Sequence, residues 1–324
     1  MSSSYLFILG AGFSRYAGMP LVQQLRECVL EWLKGPGISD PHVRVHLGPL
    51  SNWPEYPVGK FLAGLRCVDP ADNRGFEEWM ADLLKVAGQE PACVQTYHVL
   101  RYACAKVLWD KQMNIGKLPD AYIHFARKVH RGLGVVSFNW DLICERALED
   151  AGRPWGYSAN DPTPVVKPHG SLNWTRWADS GRTPYNSRDF APIARECALT
   201  YNPARPFEDP LSGVFSDEPR YMTFPGDLES IDPTEHPRAA AAQDRLWTDT
   251  RKLIARADTV VFIGYSLPLY DAVARSQFQV ACAGKSIVAC NPSPDVLSEF
   301  TRVFGSAVVE LIPKKFEESR FAEG

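Results

Sequence analysis

The feature that most constrains this chain is a short apolar run, Tyr5–Leu9, that stops abruptly on Gly10-Ala11-Gly12 and gives way to helical spacing. A strand of five residues feeding a glycine corner and then a helix is the opening of a parallel α/β unit, because parallel neighbours need a helical crossover between them. Further runs of the same kind stand at Val135–Phe138, Val165–Val166, Thr259–Ile263, Ser286–Ala289 and Val308–Ile312. Leu25, Val29, Trp32 and Leu33 sit at i, i+4, i+7 and i+8, which predicts a helix after the first strand with Pro20 in its first turn. The expected architecture is a Rossmann-like parallel sheet with helices on both faces.

Two stretches interrupt that rhythm. Between Gly35 and Arg131 no central strand can be read, whereas 76–86 and 97–109 show helical apolar spacing. From Ala151 to Arg238 lie 13 of the 26 prolines in 88 of the 324 residues, which predicts an irregular, lid-like region. The expected organisation is a Rossmann-like domain built from 1–34 and 131–324, a helical insertion over 35–130, and a proline-rich lid over 151–238. A helix is expected to start near Ala239–Ala242. Trp79, Leu83, Leu84, Leu100, Val107 and Leu108 carry enough apolar surface in the insertion to suggest a second copy of the chain as partner.

Charge and cysteine usage exclude several functions. With 35 Lys and Arg against 38 Asp and Glu, the formal charge of −3 offers no basic field for nucleic acid. No early apolar run is long enough for a signal peptide or a membrane span, so a cytoplasmic protein is expected. The 8 cysteines contain no CxxC pair, and no metal is expected.

Chemistry gathers at the ends of the strand runs. Gly10-Ala11-Gly12-Phe13-Ser14 and Gly18-Met19-Pro20 form a nucleotide cradle in the right context, although the third glycine of a dinucleotide fingerprint is replaced by Arg15 and a plain strand-to-helix corner explains the same glycines. Ser137-Phe138-Asn139-Trp140-Asp141 ends the next run on polar groups; Asp141 is expected to cap the following helix, and Asn139 reads equally as a turn former. Lys167-Pro168-His169-Gly170-Ser171 offers a histidine able to take a proton near neutral pH, beside a glycine that leaves room for a ligand. Asn139 and His169 are expected at solvent-facing strand ends. Ile263-Gly264-Tyr265-Ser266-Leu267-Pro268 and Cys290-Asn291-Pro292 add small polar groups at two more strand ends, each of which taken singly is an ordinary α/β loop.

In that order the five motifs resemble the sirtuin superfamily, and within it the zinc-free branch of bacterial defence-type NAD hydrolases. The resemblance implies that Gly10, Ala11, Gly12, Phe13, Ser14 and Gly18 cradle the NAD pyrophosphate, that Asn139 and Asp141 stand at the nicotinamide ribose, and that His169 is the catalytic histidine. It places Gly264 and Ser266 at the adenosine side and Asn291 near the adenine ribose. The paired CxxC motifs of protein deacylases are absent, Leu21-Val22-Gln23 replaces their Asp-Phe-Arg, and Met222-Thr223-Phe224-Pro225-Gly226-Asp227 departs from their Phe-Gly-Glu groove. The implied activity is hydrolysis of NAD to nicotinamide and ADP-ribose, with antiviral defence by NAD depletion, a homo-oligomer and a separate activating or sensor protein as implied context. A deacylase or ADP-ribosyltransferase and a non-catalytic NAD or ADP-ribose sensor are the alternatives.

Overall fold

The computed structural model describes residues 4–40, 43, 75–78, 80, 91–176, 199–200, 220–222 and 237–324. Its centre is a six-stranded, all-parallel sheet in the order β3-β2-β1-β7-β8-β9, made of β1 (Tyr5–Leu9), β2 (Val135–Ser137), β3 (Val165–Val166), β7 (Thr259–Ile263), β8 (Ser286–Cys290) and β9 (Val308–Ile312). This is the doubly wound Rossmann-like order, in which right-handed crossovers leave β1 in opposite directions and place helices on both faces. The central strands read as unbroken apolar runs because both faces are covered: Leu6, Ile8, Leu9, Val260, Val261 and Ile263 have no exposed surface.

Among the described residues the named α-helices are α1 (Ala11–Ser14), α2 (Val22–Lys34), α3 (Pro91–Met113), α4 (Asp120–Lys128), α5 (Ile143–Asp150), α6 (Pro237–Arg256), α7 (Ala272–Ala281) and α8 (Pro294–Phe304). Pro20 stands before α2 and not in its first turn; Leu21 caps that helix, its N–H donating to the Gln24 side chain at 3.1 Å. α2 buries Leu25, Val29 and Leu33, as the spacing demands, with Trp32 half-buried at the margin.

The region 35–130 shares the core of the sheet through α4. Phe13, Tyr122, Phe125 and Phe316 form one aromatic cluster with centroids 4.6 to 5.8 Å apart. Tyr122 ties the layers together, its hydroxyl donating to Phe13 O at 2.8 Å and accepting from Ala17 N–H at 2.9 Å. Leu100, Val107 and Leu108 are buried inside the chain, so these three leave no apolar face for a second copy; Trp79, Leu83 and Leu84 lie outside the described residues.

The proline-rich stretch contains more order than expected. β4 (Gly170–Arg176) pairs antiparallel with β5 (Leu199–Thr200) and β6 (Arg220–Met222). Trp174 of β4 is fully buried against Tyr157, edge to face at 4.9 Å, so it packs the base of this sheet; Trp177 lies outside the described residues. Among the described residues no helix is long and apolar enough to cross a membrane.

Candidate functional site

The sheet register brings the strand ends level. Leu9 pairs with both Ser137 and Ile263, and Ile263 pairs with Cys290, so Gly10, Phe138, Gly264 and Asn291 form the next row. The order reverses between β1 and β7, and open α/β sheets leave their binding crevice at that point, outside the carboxyl ends of the strands.

The two glycine turns of this crevice interlock. A Cβ on Gly10 would stand 2.5 Å from Tyr265 Cα, and one on Gly12 would stand 2.7 Å from Gly264 Cα. Gly264 itself has φ +62°. Glycine is therefore required at these corners for backbone packing before any ligand is considered. The amides of Gly10, Gly12 and Phe13 donate to Ile263 O, Gly264 O and Gly10 O at 2.9 to 3.0 Å. Phe13 turns its ring into the aromatic core, Ala11 and Gly12 are half-buried, and Gly18, with φ +95°, closes an exposed turn onto Arg15 O. The amides spent on closing the two turns thus stiffen the crevice wall.

Ser14, Asn139 and Asp141 form one buried network. The Asn139 amide nitrogen donates to Gly10 O at 2.9 Å and to Ser14 Oγ at 3.0 Å, and Ser14 Oγ donates to Asp141 Oδ1 at 2.9 Å. A carbonyl only accepts, so Gly10 O fixes which end of the Asn139 amide faces it and leaves Oδ1 as the acceptor available to a ligand. Asn139 is 8 % exposed and His169 4 % exposed, which corrects the expectation of solvent-facing strand ends: neighbouring strands and loops enclose them. Asp141 also stands one residue outside the expected cap. Leu142 is the residue flanking α5, and Asp141 Oδ1 accepts from Ile143 N–H at 3.1 Å.

Burial pushes the Asp141 carboxyl from the ordinary 3.8 up to about 6, against the pull of Lys167, the Ile143 amide and the Ser14 hydroxyl. A raised folded value means that the stabilising contribution is present below the unfolded value and is lost as pH rises through about 6. Asp141→Asn keeps the accepting oxygen without the charge. It is expected to stabilise the protein by about 2–3 kcal/mol at pH 8 and by less than about 1 kcal/mol at pH 4. Denaturant unfolding at the two pH values checks this; an equal effect at both would separate the change from ionisation.

His169 follows β3 on a turn closed by Gly170 N–H donating to Lys167 O at 2.9 Å, with Gly170 at φ +80°. Its Nε2 lies 3.0 Å from Asp271 Oδ2, with the side chains 6 % and 3 % exposed. Phe138 packs edge-on against the imidazole at 4.8 Å, and Trp140 Nε1 donates to His169 O at 3.0 Å. Beneath, the fully buried Lys167 ammonium donates to Asp141 O at 2.7 Å and to Glu145 Oε1 at 2.8 Å, joining the loop after β2 to the loop after β3.

Two acidic residues at this site escape sequence reading. Asp271 accepts from Ala274 N–H at 3.1 Å through Oδ1 and lies 3.5 Å from the Tyr265 hydroxyl through Oδ2. Burial alone would raise its carboxyl, but the His169 charge, the hydrogen bond to it, the Ala274 amide and the Tyr265 hydroxyl hold it below the ordinary range. The signal in the sequence was an Asp directly before a helical run, which is a cap signature and says nothing of a distant histidine. Glu77, from the region read as an insertion, accepts from the Tyr270 hydroxyl at 2.9 Å; burial raises its carboxyl, with the His169 charge opposing.

Asn291 fastens the far side. Its side-chain nitrogen lies 3.5 Å from Tyr265 O, and its Oδ1 accepts from Ser293 N–H at 3.0 Å. Ser266 is exposed on the same turn. Direct bonds thus unite Gly10, Ser14, Asn139 and Asp141, and packing adds Gly12 and Gly264. Among the described residues no hydrogen bond joins Gly18 or Ser266 to that network, and no cluster of three or more His, Cys, Asp or Glu is arranged to hold a metal ion.

No family model matches the chain, and no curated protein matches it. Solved structures do. One is a mutant Sir2 homologue in complex with 2'-O-acetyl-ADP-ribose, at 16% identity and a TM-score of 0.45 over 98% of this chain and 89% of that chain. Another is Sir2Tm bound to a propionylated peptide, at 15% identity and a TM-score of 0.42 over 99% and 91%. A third is Sir2 with a p53 peptide and NAD+, at 15% identity and a TM-score of 0.38 over 99% and 91%. The chain is similar to these proteins in the path of its backbone.

Proposed function

We propose that this chain is a sirtuin-like NAD glycohydrolase that releases nicotinamide and ADP-ribose. One observation carries the reading: a buried Ser14–Asn139–Asp141 network and a His169–Asp271 pair converge at the switch-point crevice of a Rossmann-like sheet. The five motifs in sirtuin order support NAD as the nucleotide.

In the proposed step the C1'–N bond to nicotinamide breaks with its electron pair going to the pyridinium nitrogen, which thereby becomes neutral. Water bonds C1', and the proton it loses passes to His169. Asn139 Oδ1 accepts from the ribose hydroxyl or from that water and holds it in line, while Asp141, partly ionised near neutral pH, lies where positive charge grows on the ribose. Gly10 to Gly18 take the pyrophosphate side; Gly264, Ser266 and Asn291 take the adenosine side. Depletion of cellular NAD in antiviral defence, in a homo-oligomer or under a separate activating protein, is the proposed setting.

Incubation with NAD alone, followed by chromatography, is expected to give nicotinamide and ADP-ribose in equal amounts with no need of an acylated peptide. Nicotinamide formed only when acyl-peptide is present, accompanied by O-acyl-ADP-ribose, would replace the hydrolase reading with a deacylase. NAD binding without either product would leave a sensor.

A further inference from the structure

We propose that Asp271 is a positioning residue for His169, anchoring the imidazole to the start of α7 so that its orientation is set by the β7–α7 turn. The proposal rests on the reading of His169 as the base. Asp271 divides its carboxylate, Oδ1 to the Ala274 amide of α7 and Oδ2 to His169 Nε2, so the helix holds one oxygen while the other meets the ring. Tyr265, also buried, is within 3.5 Å of Oδ2 and restricts the remaining freedom of the group.

The turn that delivers Asp271 is itself over-determined. Leu267 is buried at φ +50°, a left-handed conformation that costs an L-residue energy and persists only where its surroundings enforce it. Arg275 of α7 donates to Leu267 O at 2.5 Å, and Glu299 of α8 holds that arginine at 2.5 Å. A helix cap alone would need none of this and would not require the second oxygen to face a histidine. When His169 takes the proton from water, Asp271 stays ionised and stabilises the imidazolium that results.

Asp271→Asn and Asp271→Ser test this, because Asn and Ser both cap helices well and keep the start of α7, while neither brings a carboxylate to His169. Each is expected to lower kcat for NAD by about 10- to 100-fold, the usual loss when a group that orients a reacting residue is removed, with KM within about threefold. In Asp271→Asn the acid limb of the kcat/KM profile is expected to move to lower pH, since the carboxylate favours the charged imidazole. Among the described residues, the Glu77 carboxyl also acts on the His169 charge and the Tyr265 hydroxyl lies 3.5 Å from Asp271 Oδ2, and both groups remain in that variant. In a His169→Ala background the substitution should add nothing. Wild-type kcat and an unmoved acid limb in both Asp271 variants, with His169→Ala inactive, would overturn the positioning role and leave the base assignment standing. Full turnover in His169→Ala would overturn the base assignment and the positioning role together.

Discussion

His169→Ala is expected to lower NAD turnover by about 10²–10⁴, or roughly 3–5 kcal/mol of barrier, while the protein still binds NAD. The His169 imidazole has a carboxylate partner, Asp271, at 3.0 Å, which can stabilise its protonated form. Ser14 and Asn139 do not ionise in this range, and Asp141 spends its Oδ1 on the Ser14 hydroxyl and the Ile143 amide. The substitution also removes the ring that packs on Phe138 and leaves Asp271 Oδ2 without its imidazole partner, at a stability cost of about 1–3 kcal/mol. A circular-dichroism melt therefore accompanies the kinetics, and added imidazole should restore part of the rate. Turnover within threefold of wild type in a folded variant would remove His169 from the chemistry.

The parallel sheet was legible in the sequence because its strands are covered on both faces. Val260, Val261 and Phe262, or Val165 and Val166, form continuous apolar runs that no exposed segment would tolerate. The sheet around β4 was hidden for the opposite reason. β5 and β6 are two and three residues long and stand in a stretch whose prolines dominate any local pattern. α4 carries only nine residues, too few for its periodicity to stand out, and its buried Tyr122 is explained by Phe13 and Ala17, far away in the chain.

The same division runs through the site. Gly10, Ser14, Asn139, Asp141 and His169 could be located because strand ends in this architecture face one crevice. Asp271 and Glu77 could not, because what makes them part of it is a tertiary neighbour: a histidine after β3 for one, Tyr270 for the other. Burial of Asn139 was equally invisible, since nothing local to Phe138-Asn139-Trp140 records that Gly10 O and Ser14 Oγ will close over the amide.

Lys167→Met is expected to destabilise the protein by about 3–5 kcal/mol, because it leaves a buried carboxylate without its cation. Lys167 and Glu145 have no exposed side-chain surface and lie 2.8 Å apart. Glu145 Oε1 also accepts from the Tyr157 hydroxyl at 3.1 Å, whereas among the described residues its Oε2 has no hydrogen-bond partner, so removal of the ammonium leaves that charge poorly compensated. Met preserves most of the apolar stem, which confines the loss to the ion pair and to the bond from Nζ to Asp141 O. Adding Glu145→Leu should return much of the stability, since a buried pair replaced by apolar side chains of similar size is often neutral. It should not return full activity, because the bond from Nζ to Asp141 O, one of the ties between the loop carrying Asn139 and Asp141 and the loop carrying His169, is still missing. Denaturant midpoints for the single and double variants, measured beside NAD turnover, check both halves of this expectation. A single variant within about 1 kcal/mol of wild type would show that Lys167 does not clamp the two loops.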